Sequence, residues 1–212
     1  MAILNDGING GFTGKVGRVV GYQLNGKWVI KGLPKSSKKN KRGSANQNVC
    51  RKKFTIMQHF LSSVLGFIKV GFNLESKAKK MTAHNAAKSY NMLHAFNDVN
   101  EIDYIKIGLT YGNLTGAKDP QHFSDDSGLH FKWTDQELTD YERSYDQVML
   151  LAYHEKENHA YYILSGARRK DGFDTLEIPD FEKGKDFHTW LSFIADDRMS
   201  ISMSSYVGLI TY

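Results

Sequence analysis

Residues 188–195, HTWLSFIA, alternate cleanly: Trp190, Ser192 and Ile194 fall on one side, Leu191, Phe193 and Ala195 on the other. A period of two over eight residues is a β-strand with two distinct faces. Working outward, segments 102–107, 129–133, 147–154, 160–165, 173–178 and 199–207 carry strand-type composition, with turn residues between them. Short strands at this spacing predict an antiparallel β-sandwich of immunoglobulin or fibronectin kind. The single cysteine removes the Cys…Trp…Cys spacing of an antibody domain. Residues 112–128, rich in Asp, Ser and Gly, read as a long loop, and 135–146 as a second loop or a helical turn.

Upstream the period changes. Val49, Phe54, Met57, Phe60, Leu61, Val64 and Leu65 recur at three- and four-residue intervals, which predicts a helix capped by Ser44 or Asn46. Gly66 and Gly71 mark its expected end. A second helix is expected over 82–96, with Ala83, Ala86, Ala87, Tyr90 and Leu93 on the face that packs against the first. Still earlier, Asn25-Gly26 separates two strand-like runs, the sequence signature of a tight hairpin in which Trp28 is expected as core. The fold class expected is therefore mixed α+β, mainly β. Residues 1–100 would form a hairpin, a basic arm and an αα-hairpin for docking, and residues 101–212 the sandwich.

Charge is divided along the chain. Residues 1–74 carry thirteen Lys/Arg against Asp6 alone, and residues 75–212 carry fifteen against twenty-two acids, for a net +5. The densest stretch is 33–54, LPKSSKKNKRGSANQNVCRKKF, with Lys35, Lys38, Lys39, Lys41, Arg42, Arg51, Lys52 and Lys53 and no acid. Such a segment buries no apolar surface of its own and is expected as a solvated, extended arm that a partner of opposite charge would order. Arg51, Lys52 and Lys53 carry the positive surface into the helix, against its macrodipole, which argues for an external partner. That partner would be a polyanion or the acidic half of a neighbouring copy; the alternative is an arm folded back on the chain's own acids.

Catalytic patterns are missing. Zinc needs clustered Cys and His, whereas here Cys50 stands alone among eight dispersed histidines. His154 and His159 flank a turn and read as surface residues. Cys50 could be a nucleophile activated by Arg51 and Lys52, but partly buried packing is the plainer reading. Asp125-Asp126 and Asp196-Asp197 read as solvated turns without calcium-loop spacing. Gly14-Lys15 lacks the spacing of a phosphate-binding loop. Trp133, Trp190 and Tyr161 would suit a glycan if exposed, though alternation places them in the core. No apolar run reaches the ~20 residues of a membrane helix and no secretory signal is visible, so synthesis in the cytoplasm is expected.

Gly10-Gly11-Phe12-Thr13-Gly14-Lys15-Val16-Gly17, followed by Val19-Val20-Gly21, Lys27, Ile30 and Pro34, resembles the opening GGFSGKVGxVVG of an uncharacterised domain-of-unknown-function family of Bacteroidota proteins. Gln47, Arg51, Phe54, Asn85-Ala86-Ala87, Tyr90-Asn91, Asp103-Tyr104 and Tyr206-Val207-Gly208 continue the likeness over nearly the whole chain. The sequence departs from that pattern at Lys31, where Arg is common, and in an arm with few prolines. The resemblance implies a shared fold and no named chemistry. The expectation is a non-enzymatic structural or assembly protein without a cofactor or small-molecule substrate, such as a phage virion component or a bacterial supramolecular subunit. Its partners would be copies of itself or another protein subunit, with no membrane. Alternatives are a nucleic-acid or polyanion-binding module and a carbohydrate-binding sandwich.

Overall fold

The computed structural model describes residues 2–4, 10–24, 26–33, 43–134 and 141–212. The chain divides into two compact units, Met1–Ser44 and Ala45–Tyr212. In the first, β1 (Ala2–Leu4), β2 (Phe12–Val16), β3 (Val19–Leu24) and β4 (Lys27–Gly32) form an antiparallel sheet in chain order. The expected hairpin is β3–β4, with Leu24 opposite Lys27 and Gly26 at φ +76°. The preceding glycine-rich segment supplies β2 rather than turns alone. Trp28 lies against Gly11, where a Cβ would sit 1.8 Å from the indole. The ring is 39% exposed, so it covers a small surface instead of filling a core.

The second unit is three layers deep. Helices α1 (Ala45–Ser63), α2 (Leu65–Gly71), α3 (Asn73–Ala78) and α4 (Ala83–His94) cover one face of a central antiparallel sheet of order β11-β10-β7-β8. Its strands are β7 (Gln147–His154), β8 (His159–Ile163), β10 (Asp186–Ile194) and β11 (Ser205–Thr211). A second sheet, β5 (Lys118–Asp125), β6 (Gly128–Thr134) and β9 (Phe173–Leu176) in the order β5-β6-β9, covers the other face. The alternation of residues 188–195 assigns these faces. Trp190 and Ile194 join Met149, Leu151 and Tyr153 against the helices. Leu191 and Phe193 join Val148, Leu150 and Ala152 against Leu129, Phe131, Trp133 and Leu176 of the second sheet. The chain therefore divides after Ser44 and not near residue 100, because the helices share a core with the strands that follow.

The helical layer is a bent series. Met57, Phe60, Leu61 and Val64 form the buried stripe of α1; after Val64 the chain turns by 89° into α2, which buries Phe67 and Ile68. Among the described residues, no single helix is long and apolar enough to cross a membrane. The first helix ends at Ser63, before Gly66, and Gly71 is the last residue of α2; both glycines are also points of close approach. A Cβ on Gly66 would lie 2.0 Å from the Tyr162 hydroxyl, and one on Gly71 2.3 Å from the Leu109 carbonyl. In α4 Thr82 caps the Asn85 N–H at 3.2 Å. Buried Asn91 donates to the Ala87 and Gly108 carbonyls and accepts from the Gly108 N–H, tying α4 to the loop before β5.

Two strand assignments change. Residues 102–107 form no strand: Asp103 accepts from the Ile105 N–H at 3.2 Å and sets a 3-10 turn at Tyr104–Lys106. Residues 112–128 contain β5, an edge strand whose polar side chains alternate with half-buried Pro120 and His122. The last strand begins at Ser205, with a bulge opposite Thr189 and Trp190 where Gly208 adopts φ +151°. The 3-10 turn Tyr141–Tyr145 answers the helical turn expected in 135–146; residues 135–140 lie outside the described part.

Gly71→Ala is expected to lower stability by ~1–3 kcal/mol, because backbone rather than a movable side chain occupies the space. Gly32→Ala, with nothing within 4 Å of its Cβ, serves as the neutral control in thermal unfolding. Burial lowers the pKa of both His122 and His188, the latter against the opposing charges of Glu155 and Asp186. The unfolded chain then binds more protons than the folded one, so stability falls as pH drops below the ordinary histidine value of ~6.5. Urea midpoints measured from pH 7.5 to 5.5 check this, and His122→Gln with His188→Gln should flatten the profile; a flat wild-type profile would contradict it.

Candidate partner-docking face

The helical layer holds the positive charge of the second unit. Residues 45–94 carry eight Lys/Arg against Glu75 alone, whereas residues 95–212 carry eleven against twenty-one acids. The two helices of greatest length, α1 and α4, contain no carboxylate at all. The division seen along the sequence is thus a division between layers. Of the eight expected partner-binding residues, Lys35, Lys38, Lys39, Lys41 and Arg42 lie outside the described residues. Arg51, Lys52 and Lys53 lie together on α1.

Their setting differs from the expectation in one respect. The helix begins at Ala45, which puts Arg51–Lys53 beyond its first turn, where the macrodipole has little effect. Electrostatic opposition to the helix therefore says nothing about their role. Exposure says more: from Ala45 to Lys52 every residue of α1 is exposed, and the apolar stripe continues there as Val49 and Phe54, 41% and 49% exposed. Cys50, expected as partly buried packing, is exposed as well. The expectation failed because heptad-like spacing shows which residues share a face, not where the covering layer stops.

Residues of α4 and of the loop after it complete the face. Lys88 Nζ lies 4.3 Å from the centroid of Phe54 and donates to Gln58 Oε1, while Gln58 Nε2 and His84 Nε2 are 3.3 Å apart. Lys53 Nζ lies 5.0 Å from the centroid of Phe96. Burial lowers the pKa of His84, and the neighbouring Lys88 charge lowers it further. Burial also lowers that of Lys88. Two aromatic rings thus support ammonium groups where carboxylates would ordinarily stand. Lys88 and His84 escaped the sequence reading, although an α4 without acids was a visible signal. The rings are occupied by lysines, so this face is built for charge and not for base stacking.

Other polar clusters have local structural roles. Ser127, His130 and Asp125 meet at the β5–β6 turn in a combination suggestive of nucleophilic catalysis. However, Asp125 Oδ1 at 2.7 Å and Ser127 Oγ at 3.1 Å both address the same ring atom, His130 Nε2, while Nδ1 meets Thr175 Oγ1 at 2.8 Å. A relay needs base and orienter on opposite nitrogens. Hydrogen bonds from Ser127, then His130, hold the Asp125 carboxyl far below the usual carboxylate range, and the group serves as a turn lock. His154, expected at the surface, is buried, with Nδ1 2.8 Å from the Asp186 carbonyl. His159 is exposed. Arg169 and Asp146 form a buried ion pair at 3.2 Å, and the Arg169 guanidinium also donates to the Thr115 carbonyl at 2.7 Å.

Where α1 crosses the central sheet, Phe60, Tyr104, Tyr153, His188, Trp190 and Tyr206 pack ring on ring, with Tyr104 stacked 3.8 Å from His188. Burial pushes Tyr153 up to about 12 and lowers His188, so phenol and imidazole are both neutral near pH 7. Trp133 and Trp190 are buried and offer no platform to a sugar; Tyr161 is half-buried, its hydroxyl donating to Glu182 at 3.1 Å. Among the described residues no group of three or more His, Cys, Asp or Glu could hold a metal ion.

No curated protein and no solved structure matches the chain. A family profile does, over residues 11–208, spanning the β2–β4 sheet, the cationic helices and both sheets of the second unit. The chain belongs to the family of unknown function DUF6266.

Proposed function

We propose that this is a non-enzymatic assembly protein that docks through the cationic side of its helical layer onto an acidic surface of a neighbouring copy. One observation carries the reading. The first half of α1 exposes Val49 and Phe54 beside Arg51, Lys52 and Lys53, on a helix with no carboxylate. An exposed apolar stripe flanked by one sign of charge is the composition of a docking surface rather than of a solvated helix. Residues 95–212 supply the complement, with twenty-one acids against eleven Lys/Arg, whereas residues 45–94 have eight Lys/Arg against one acid. Lys35, Lys38, Lys39, Lys41 and Arg42, immediately before α1 in sequence, add to the same charge. The setting we infer is a repeating structure, such as a virion or another bacterial supramolecular assembly.

The sandwich reading becomes finer on the same terms. In a constant-type immunoglobulin domain the fourth strand joins the first, second and fifth. Counted from β5, the fourth strand here is β8, and it pairs with the third, β7, while the first, second and fifth form the other sheet. That switched order supports a fibronectin-like sandwich with helices laid over one face. A polyanion partner is the second reading, favoured by the way Lys53 and Lys88 stand over rings with no acid beside them.

Light scattering during size-exclusion chromatography separates the two. Association at about 50 mM salt that disappears near 500 mM is expected for assembly through charge. A combined Arg51→Glu, Lys52→Glu variant should remain folded and monomeric, since both side chains are exposed and such substitutions change stability by only ~0.5 kcal/mol each. A strict monomer at low salt that instead retards duplex DNA, with a salt slope reduced by about two in the corresponding double Gln variant, would replace assembly with polyanion binding.

A further inference from the structure

One pocket of the second unit is lined by residues other than those of the docking face. It has a volume of about 440 Å³ and opens between α2–α3 and the end of the central sheet. Its walls are mostly aliphatic, with Val70 and Leu74 from the helices and Leu164, Ile194 and Ile201 from the sheet side, and Asn73 and Ser165 add two neutral polar groups. Ile194 and Ile201 are buried while Lys69 and Arg198 are exposed, so the pocket has an apolar floor under a cationic rim.

Arg198 is held in place. It takes φ +61° in the turn between β10 and β11, a left-handed conformation that costs a non-glycine residue about 1 kcal/mol. The turn is closed by the Arg198 N–H on the Ala195 carbonyl at 2.9 Å, the Ala195 N–H on the Ser200 carbonyl at 2.9 Å, and Asp197 Oδ1 accepting from the Met199 N–H at 2.8 Å. Its guanidinium then donates to Gln147 Oε1 at 2.5 Å, Ser165 Oγ at 2.7 Å and the Leu164 carbonyl at 3.4 Å. All three acceptors are neutral, and two of the five N–H groups remain. Lys69, in the last turn of α2, has no ion-pair partner among the described residues. Two cations without a carboxylate between them therefore face one aliphatic pocket.

We propose that this pocket binds a small aliphatic monocarboxylate, its carboxylate between Arg198 and Lys69 and its hydrocarbon body on Leu164, Ile194 and Ile201. The chemistry of the walls selects the class. No aromatic ring lines the pocket to stack on a planar ligand, which favours a flexible chain over a nucleobase or an indole. The fixed guanidinium keeps its full positive charge and an N–H for a single carboxylate oxygen, with the lysine as a second point charge. The volume falls within the ~300–1,000 Å³ usual for small-molecule sites.

Octanoate titrated into the intact chain, followed by methyl NMR, tests the site. Saturable shifts at Leu164, Ile194 and Ile201 are expected. Butyrate should bind at least about tenfold more weakly, because four fewer methylenes are buried. Octylamine, with the same chain and the opposite charge, should produce none of these shifts. Lys69→Gln leaves the fold intact because the side chain is exposed and unpaired, and should weaken octanoate about tenfold. Arg198→Gln should weaken it further, and Arg198→Lys should recover only part. Absence of saturation by ~5 mM octanoate, equal shifts with octylamine, or undiminished binding by Lys69→Gln would each overturn the proposal.

Discussion

Strands β7 and β10 have apolar side chains on both faces, and the second unit is built around that constraint. A sheet with one wet face can stop at a single partner; a sheet with two dry faces needs a layer on each side. Trp190, Met149 and Leu151 demand one cover, and Phe193, Leu150 and Val148 another. The helices meet the first demand and the β5-β6-β9 sheet the second. Each large side chain removed from water contributes ~1.5–3 kcal/mol, so leaving either face open would forfeit several such contributions at once. That is why helices and sandwich cannot be separate domains.

The same constraint explains the broken helical layer. A straight helix would leave the sheet after the stripe of α1 is used up at Val64. Turning at that residue, and again at Phe72, keeps Phe67, Ile68 and Phe72 on the core through three successive segments. Gly66 and Gly71 make this possible by admitting the Tyr162 hydroxyl and the Leu109 carbonyl to the helix surface. The hydrogen bond from the Tyr111 N–H to the Gly71 carbonyl, 3.0 Å long, fixes the loop before β5 against α2. Asn91 repeats the device on α4, where its amide satisfies both backbone groups of Gly108.

Legibility of this design in the sequence varied with how strongly burial patterns the residues. Residues 147–154 and 188–195 were readable because both faces of each strand are filled, and their alternation assigned Trp190 and Phe193 to opposite cores. β5 was not readable: as an edge strand it keeps Lys118, Gln121 and Ser124 in water, and polar composition resembles a loop. Residues 102–107 read as a strand because apolar spacing cannot reveal that Asp103 caps a 3-10 turn. Of the candidate site, Arg51, Lys52 and Lys53 were legible from charge alone. Lys88, His84 and Phe96 were not, because their convergence on α1 depends on how α4 packs.

What remains is why the first half of α1 exists as an exposed helix. No residue of α1 before Met57 is buried. A helix start without buried residues, with Val49 and Phe54 exposed, gains little from packing. Lysines resting on Phe54 and Phe96 keep those rings partly covered until something displaces them. An acidic partner can do so at little cost, because it exchanges a cation–π contact for an ion pair and gains the apolar area beneath. On the docking proposal the exposed helix start is surface kept for an acidic partner, while the rest of the helical layer is explained by the sheet it covers.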